Sequence, residues 1–481
     1  MNPDPSGAAT AGTTTLEPAA LARLSLEAAR VAVETRPRMP AGFAAGALAA
    51  GIKPSGRPDL AVVAVTTPGP ASAAALFTRN LVQAAPVRLS RAHLAAAAAR
   101  LGAAQPPAGA SGTSQPRASD APVVTDRDEW TPPHGTARVI AVTAGSANAA
   151  TGPAGDADQA EIARLLAAAA GCAPEETLHA STGLIGTRLP VGRVAAGIES
   201  LVPGGLAGND EALAAVATAM MTTDTRLKAA TAVLELPAGG GTRQARITGV
   251  VKGVGMIHPG MATMIALVLT DAAVAPATLA TLLRPAVALS FDQLTVDGDT
   301  STNDTVFVLA SGASGADEVA PGCPEAGLLG AALAAVCRSL ARQQAADGEG
   351  ATCMITCRVS GAADLADARA ASRAVVGSSL LKAAVHGRDP NWGRVAAAAG
   401  AALRPDGSPV ALAVESLRIS VCGTPVFAGA PLPFDAAAVS AAMAAPEVVV
   451  EVDLGLGRAA AEAWGCDLTE AYVRENAEYS T

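Results

Sequence analysis

Thr263 stands where a turn rich in glycine and proline meets a strongly apolar run, within the segment Lys252–Ala272. Such a turn can hold strained backbone dihedrals, and strain is one way to activate a peptide bond. Because Ala262 is small, its carbonyl carbon is open to attack by the threonine Oγ. The resulting ester would be hydrolysed, leaving Thr263 with a free α-amine. This amine has a pKa of about 7.7–8.0 in peptides and can act as general base for its own hydroxyl. From these residues alone, a structural turn threonine is the alternative.

Three other short segments carry polar groups that could serve acyl-transfer chemistry. The turn in His179–Gly186 can present backbone N–H groups and a hydroxyl to a developing oxyanion, or it is a plain turn. The hydroxyls of Met221–Thr225, followed by Lys228, can bind a small polar substrate or cap a helix. Glu349 lies between two glycines, so it either approaches a ligand closely or is an exposed turn carboxylate.

Cofactor and metal motifs fail when their spacing is tested. After Gly253 and Gly255, His258 stands where a dinucleotide-binding fingerprint needs its third glycine. The polar loop Val296–Val306 resembles a calcium loop, but Thr302 stands where that loop needs glycine. Turns formed by Asp, Asn, Ser and Thr side chains explain this loop better. Cys353 and Cys357 have no second pair nearby and are predicted as buried residues on one face of a strand. We therefore predict no metal and no prosthetic group.

Composition narrows the class of protein. The 481 residues are too many for one ordinary core, so two or more domains are expected. The formal net charge is -9 without a basic run, which disfavours nucleic-acid binding. The N-terminus lacks the features of a signal peptide, and the long apolar stretches are interrupted by Gly or Pro, so no membrane segment is expected. Seven cysteines, an odd number in a long chain, indicate a reduced, cytoplasmic protein.

The elements that must position these residues alternate between helix and strand. Helical spacing predicts a short helix within 16–34, another that starts near Asp156 or Asp158 and ends at Gly171, and a third over 327–345. β-branched runs predict strands in 57–65, in 137–145 and after Met264. The predicted fold class is therefore α/β. Residues 1–38 form an N-terminal tail, partly disordered, and 102–136, rich in Pro, Gly and Ser, form a surface insertion.

Taken in order, the motifs closely resemble those of the ornithine acetyltransferase (ArgJ) family. The resemblance runs from about Met39 to Thr481 and omits only the tail and the insertion. It rests on the following segments: GSANAATG, STGLIG, MTTDT, KGVGMIHPGMATM, DGDTSTNDT, GEGAT, HGRDPNWGRV and YVRENAEYST.

The resemblance implies an enzyme that cuts itself between Ala262 and Thr263. Residues 39–262 would form the body of an α chain and residues 263–481 a β chain, assembled as an α2β2 heterotetramer. The fold would be that of the family, similar to N-terminal-nucleophile enzymes, with mixed sheets flanked by helices. Thr263 would take an acetyl group from N-acetylornithine and pass it to glutamate, in arginine biosynthesis. Some members also use acetyl-CoA as a donor.

The family roles fall on matching positions of this sequence. Thr182 and Gly183 resemble the pair of residues that forms the oxyanion hole. The residues that resemble the substrate-binding set are Thr222, Lys252, Thr263, Glu349, Asn476 and Thr481. Lys252 can pair with a substrate carboxylate, and Glu349 with a substrate ammonium group.

Three alternatives remain open at this point. A hydrolase of the N-terminal-nucleophile type, an amidohydrolase or aminopeptidase, would share the self-cleaving logic but release free acetate. A secondary-metabolism relative with another acyl acceptor would fit the departures from the family pattern, such as Gly260 and Cys353. A non-catalytic protein would stay uncut and form no acyl intermediate.

Overall fold

The computed structural model describes residues 18–103, 132–258 and 264–478. Within these ranges the chain forms three β-sheets with helices packed against them, so the predicted α/β class with mixed sheets is confirmed. In chain order the strands are β1 (Phe43–Leu48), β2 (Leu60–Val65), β3 (Ala71–Phe77), β4 (His134–Ala137), β5 (Val139–Ser146), β6 (Thr177–Leu184), β7 (Lys228–Ala238), β8 (Gly241–Lys252), β9 (Ile265–Thr270), β10 (Thr305–Ala310), β11 (Met354–Ala362), β12 (Arg418–Val421), β13 (Thr424–Ala428), β14 (Glu447–Asp453) and β15 (Ala459–Cys466).

Helices join and cover these strands. In chain order they are α1 (Pro18–Ala28), α2 (Ala85–Ala103), α3 (Gly152–Ala170), α4 (Val191–Leu201), α5 (Asp210–Met220), α6 (Pro276–Ala288), α7 (Pro324–Ala345), α8 (Leu365–Gly377), α9 (Ser379–His386), α10 (Trp392–Gly400), α11 (Ala436–Ala442) and α12 (Glu470–Glu478). No helix in the described ranges is long and apolar enough to cross a membrane.

The central sheet has six strands in the order β4–β3–β10–β9–β8–β7. β9 is parallel to β10 and antiparallel to β8, and every residue of β9 is buried, as the apolar run after Met264 predicts. Ile265 lies opposite Lys252 on β8 and opposite Thr305 on β10. The sheet therefore fixes the position at which the chain resumes after 259–263, beside Lys252. The described strands on either side of the boundary predicted between 262 and 263, β8 and β9, are neighbours in this sheet.

The other two sheets each lie on one side of residue 263 in the sequence. The order β1–β2–β5–β6 forms one sheet, in which Thr182 and Gly183 lie near the end of the parallel pair β5 and β6. The order β13–β12–β14–β11–β15 forms the other, with α8 and α10 packed over a separate apolar core. Trp464 on β15 belongs to the core of the central sheet and links the two layers.

Helix α2 holds β6, the strand that carries two of the predicted site residues. The Ser90 hydroxyl accepts a hydrogen bond from the backbone N–H of His179 at 2.7 Å and donates to its carbonyl at 2.9 Å. Burial lowers the pKa of His179 to about 3, which keeps this imidazole neutral. On its other side, α2 contacts β4 so closely that Gly135 meets the helix backbone.

Helix boundaries follow the sequence predictions in part. α3 ends at Gly171 in the left-handed conformation (φ 64°), as predicted. Its predicted start is wrong, because the helix begins at Gly152 with proline in its first turn, and Asp156 and Asp158 lie inside it. α7 covers the predicted 327–345 and starts earlier, and α1 ends at Ala28, short of the predicted limit.

The segment between α2 and β4 is shorter than the predicted insertion 102–136. α2 continues to Ala103, and β4 begins at His134 and pairs with β3, while 104–131 lie outside the described residues. Cys357 is buried on β11, and Cys353 directly precedes that strand. All seven cysteines are free thiols.

The contact between β4 and α2 gives a test of packing. A Cβ on Gly135 would lie 2.7 Å from the Ala97 Cβ and 2.8 Å from the Leu94 carbonyl oxygen, so the helix backbone would have to move. We expect Gly135→Ala to lower the free energy of unfolding by about 1–3 kcal/mol, the usual effect of overpacking. Gly241→Ala, at an open strand end, should change it by less than about 0.5 kcal/mol. Urea unfolding followed by circular dichroism makes the comparison, and equal stability of the two variants would contradict the expectation.

Candidate active site

A cavity of about 300 Å³ lies where the ends of β6 and β8 meet the loop before β10 and the C-terminal helix α12. Six residues selected from the sequence line it: Thr182, Gly183, Thr222, Lys252, Glu349 and Asn476. The other selected positions, Ala262, Thr263 and Thr481, lie outside the described residues. The fold thus brings together side chains from five distant parts of the chain.

Lys252 ends β8 and is fully buried beneath the cavity. Its Nζ donates a hydrogen bond to the Thr182 Oγ1 at 3.1 Å. Burial lowers the pKa of Lys252, and the carboxylates of Asp224 and Glu349 partly offset this effect. A buried ammonium group with two nearby carboxylates and a hydroxyl partner is suited to bind a carboxylate from a substrate.

Asp224 connects the walls of the cavity. Its Oδ1 accepts hydrogen bonds from the Lys228 Nζ at 2.7 Å and from the Gly253 N–H at 2.8 Å, and its Oδ2 accepts one from the Thr222 N–H at 3.1 Å. Burial opposes ionisation of this carboxyl, but the ammonium groups of Lys252 and Lys228 outweigh it and lower the pKa of Asp224. The charged carboxylate therefore fixes Thr222 and the residue after Lys252 relative to each other.

Lys228 extends this buried ionic cluster. The side chains of Lys228 and Asp224 are completely buried, and Lys228 also pairs with Asp347 at 2.5 Å. Asp347 in turn accepts hydrogen bonds from the backbone and the hydroxyl of Thr225. Buried charges are tolerated only when they are paired and hydrogen-bonded, as they are here.

The backbone at the end of β6 requires glycine. Gly183 has a φ of 120°, and a Cβ there would lie 2.4 Å from the carbonyl carbon of Gly145 on β5. The two strands therefore touch through their backbones beside Thr182. This contact fixes the Thr182 hydroxyl and the Gly183 backbone at the cavity wall, as an oxyanion site requires.

Glu349 reaches the cavity because a glycine faces it. A Cβ on Gly255 would lie 2.1 Å from the Glu349 Oε2, so only glycine leaves room for the carboxylate. Glu349 Oε1 accepts a hydrogen bond from the Thr223 hydroxyl at 2.6 Å, and Oε2 accepts one from the Asn476 side-chain amide at 2.9 Å. The carboxylate is therefore oriented from both sides and can receive an ammonium group.

The C-terminal helix closes one side of the cavity. Tyr472 and Asn476 on α12 both line the cavity. The helix is anchored by Thr469, whose hydroxyl donates to the Gly350 carbonyl at 2.7 Å. Burial and the neighbouring carboxylates of Asp297 and Glu349 raise the pKa of Tyr472, so its phenol stays protonated.

Two aspartates hold the chain on either side of the segment 259–263. Asp297 accepts hydrogen bonds from the N–H groups of Met256 at 2.5 Å and Ile257 at 2.8 Å. Asp304 is completely buried, and its Oδ1 accepts one from the Met264 N–H at 3.0 Å. That N–H belongs to the peptide bond that joins Met264 to Thr263. Burial raises the pKa of both carboxyls, and that of Asp304 the more strongly.

The sequence analysis gave these supporting residues no functional role. Asp297 and Asp304 were grouped in a polar loop, and that loop has the predicted turns: the Asp299 N–H donates to Asp297, and the Asn303 N–H to Ser301. Asp224 lies inside the MTTDT motif, where the hydroxyls were singled out. The available signal is that all three acids lie inside motifs of the family resemblance, Asp224 in MTTDT and the other two in DGDTSTNDT.

Comparisons with known proteins identify the family that this chain resembles. The model of the ArgJ family matches residues 44–105 and 99–481. The arginine biosynthesis bifunctional protein ArgJ of Deinococcus radiodurans is 45% identical over 442 residues, which cover 92% of this chain and 97% of that protein. Its counterpart in Thermus thermophilus is 43% identical over 444 residues, covering 92% and 99%. The crystal structure of an ornithine acetyltransferase from Mycobacterium tuberculosis, in complex with ornithine, is 30% identical, with a TM-score of 0.36 and coverage of 48% of this chain and 98% of that one.

The buried ionic cluster gives a test of how the site is held. Asp224→Ala would remove a carboxylate that interacts with the buried ammonium groups of Lys228 and Lys252. Breaking a buried ion pair costs about 3–5 kcal/mol. We expect the free energy of unfolding to fall by this amount at neutral pH. Asp299→Ala removes an exposed carboxylate from the same cavity and should leave stability unchanged. Urea unfolding of both variants measures the difference, and a stable Asp224→Ala protein would show that the cluster does not support the site.

Proposed function

This chain belongs to the ArgJ family and is an acyltransferase of arginine biosynthesis, and we propose that it transfers the acetyl group of N-acetylornithine to glutamate through an ester on Thr263. The observation that supports this most is the cavity that joins Thr182, Gly183, Lys252 and Glu349. It combines a hydroxyl and a strained glycine backbone with one ammonium and one carboxylate group. These are the groups needed to stabilise an oxyanion and to hold an amino acid by its charges.

The first step is cleavage of the chain between Ala262 and Thr263. The Thr263 Oγ attacks the Ala262 carbonyl carbon, the C–N bond breaks, and the nitrogen takes up a proton to become the α-amine. Water then hydrolyses the ester, which releases the carboxyl group of Ala262 and restores the hydroxyl. The two pieces remain joined in one fold, because β9 and β10 follow the cut while their neighbours β8 and β3 precede it.

Acetyl transfer then proceeds in two halves. The Thr263 α-amine accepts the hydroxyl proton while Oγ attacks the acetyl carbonyl, and Thr182 and Gly183 stabilise the negative oxygen of the tetrahedral intermediate. Ornithine leaves with the proton on its α-amine. The α-amine of glutamate attacks the acetyl-threonine ester, the C–Oγ bond breaks, and Oγ regains a proton. N-acetylglutamate is released, and the free threonine is restored.

Charge explains how one cavity serves both substrates. N-acetylornithine and glutamate each carry an α-carboxylate, which Lys252 binds, with Thr222 and Asn476 as hydrogen-bond partners. Glu349 holds the side-chain ammonium group of N-acetylornithine, while the α-amine of glutamate enters beside the ester, at the position that the α-nitrogen of ornithine has left. Thr481 completes the substrate-binding set. In the second half-reaction an acceptor replaces water at the ester, so transfer and not release of acetate is the outcome.

Acetyl-CoA is proposed as a second donor, which would make N-acetylglutamate without N-acetylornithine. The relatives from Deinococcus radiodurans and Thermus thermophilus are both named bifunctional. We further propose an α2β2 assembly of the cleaved chains and a cytoplasmic location, and the seven free cysteines support the latter. If the protein instead serves secondary metabolism, its acyl acceptor would differ from glutamate. Assays of acetyl transfer to other amino acids distinguish this alternative.

Cleavage and the acyl-enzyme are tested by intact mass under denaturing conditions. We expect the wild-type protein to give two fragments, residues 1–262 and 263–481, and the Thr263→Ala variant a single chain. After incubation with N-acetylornithine, the fragment 263–481 should gain the mass of one acetyl group. An uncut wild-type chain that never gains mass would remove Thr263 from its role.

The role of Glu349 is tested by substitution. A charge-assisted hydrogen bond contributes about 1.5–3 kcal/mol, so Glu349→Gln should raise the KM for N-acetylornithine by about tenfold or more. The matched control is Glu478→Gln, which makes the same change at an exposed position of α12. Steady-state assays of acetyl transfer to glutamate compare them. An unaltered KM in Glu349→Gln would assign this carboxylate to structure alone.

A further inference from the structure

The turn that joins β1 to β2, residues 49–59, lies behind the wall of the cavity that carries Gly183. A Cβ on Gly145 would lie 3.1 Å from the Ile52 carbonyl carbon and 3.1 Å from the Lys53 backbone nitrogen. Gly145 in turn meets the backbone of Gly183 on β6. The turn therefore supports the oxyanion wall from behind, although no residue of the turn is among the described residues that line the cavity.

A buried carboxylate holds this turn in shape. Asp59 is completely buried, and its side chain accepts hydrogen bonds from three backbone N–H groups: those of Ala50 and Ile52 at 2.6 Å and that of Lys53 at 2.8 Å. The Asp59 carbonyl also accepts one from the N–H of Ala144 on β5 at 2.8 Å. Hydrogen bonds to an ionised acceptor are the strong ones, so the turn is a rigid support.

The ammonium group of Lys53 ties this support to another part of the cavity wall. Its Nζ donates hydrogen bonds to the Pro58 carbonyl at 2.8 Å, within the turn, and to the Ala219 carbonyl at 2.9 Å. Ala219 belongs to the last turn of α5, which ends at Met220. The last carbonyls of a helix have no donor within the helix, and the helix dipole favours a cation there. Lys53 therefore supplies both a partner and a charge to the end of α5.

The end of α5 leads directly into residues of the cavity. Thr222 and Thr223 follow the helix, and both line the cavity. The Thr223 hydroxyl donates to Glu349, and Thr222 belongs to the proposed substrate-binding set. Because Thr222 is only three residues from Ala219, a shift of the end of the helix would also move the hydroxyl of Thr222. The hydrogen bond from Lys53 therefore bears on the substrate-binding wall.

The charges around Lys53 show that it lies close to the buried ionic cluster. Burial lowers the pKa of its ammonium group to about 8, an effect that Asp59 and Asp224 oppose and that Lys252 increases. In the described part of the chain, the hydrogen bonds of this ammonium group go to two carbonyl groups and not to a carboxylate. Such bonds fix the backbone, whereas an ion pair would mainly balance charge.

We propose that Lys53 is a positioning residue for acetyl transfer, which joins the oxyanion wall of the cavity to its substrate-binding wall. On one side the turn packs against Gly145 and through it against Gly183. On the other side the Lys53 ammonium group holds the end of α5, behind Thr222. Groups that bind a substrate and groups that stabilise an intermediate act together only when their separation is set in advance. This role rests on the proposed function, because the reaction in that cavity defines it.

The first test measures acetyl transfer from N-acetylornithine to glutamate by the full-length protein. Lys53→Met keeps an apolar stem but removes both hydrogen bonds, so it should raise the KM for N-acetylornithine by about fivefold or more. Lys53→Arg keeps a cationic donor and should stay within about twofold of the wild type. The matched control is Arg57→Met, which removes an exposed cation from the same turn and should leave KM unchanged. A smaller fraction of active enzyme does not raise KM, so this readout separates positioning from loss of fold.

The second test does not depend on activity. Hydrogen–deuterium exchange followed by mass spectrometry should show faster exchange of the backbone amides of residues 219–225 in Lys53→Met than in the wild type, Lys53→Arg and Arg57→Met. A wild type that transfers no acetyl group would refute the proposed function, and faster exchange in Lys53→Met would still show that Lys53 holds this segment. Unaltered exchange, or an unaltered KM in an active Lys53→Met protein, would overturn the proposal even if Tm falls.

Discussion

The buried carboxylate of Asp224 is the interaction on which the geometry of the active site depends. It lies among two buried lysines and accepts hydrogen bonds from backbone N–H groups on two sides of the cavity. Transferring such charges from water into the protein interior is unfavourable unless each finds a partner. Burial therefore favours a single arrangement of the charged groups of Lys252, Lys228 and Asp224. In that arrangement, Asp224 fixes Thr222 relative to the residue after Lys252. The ammonium group proposed to bind substrate is thus held by the same cluster of buried charges.

The central sheet imposes a second constraint, because it crosses the proposed cleavage point. β9 and β10 are buried between β3 and β8, so the strands that follow residue 263 are paired on both sides with strands that precede it. Hydrogen bonds and apolar packing of such buried strands do not require an intact chain. The proposed cut would leave the surrounding sheet paired on both sides and would create a new terminus one residue before Met264. This is the arrangement that an enzyme with an N-terminal nucleophile needs.

Small residues make both constraints possible. Aromatic side chains form only 2% of the sequence, and close contacts replace large rings in the packing. Gly183 meets Gly145, Gly255 admits Glu349, and Gly350 touches the backbone of Tyr472 on the C-terminal helix. Each of these contacts excludes a Cβ and places a polar group at the cavity. The abundance of glycine and alanine therefore contributes to the site as well as to the core.

The sequence by itself determined the α/β class, the end of α3 at Gly171 and the strand after Met264, because these depend on neighbouring residues and on their periodicity. The motifs also selected the six described residues that line the cavity. The sequence predicts the wrong start for α3, because an Asp inside a helix and an Asp that caps one cannot be distinguished from neighbouring residues. Only the tertiary structure decided that Asp224, Asp297 and Asp304 hold the chain around the site. Such contacts join residues far apart in the chain, and no pattern of neighbouring residues records them.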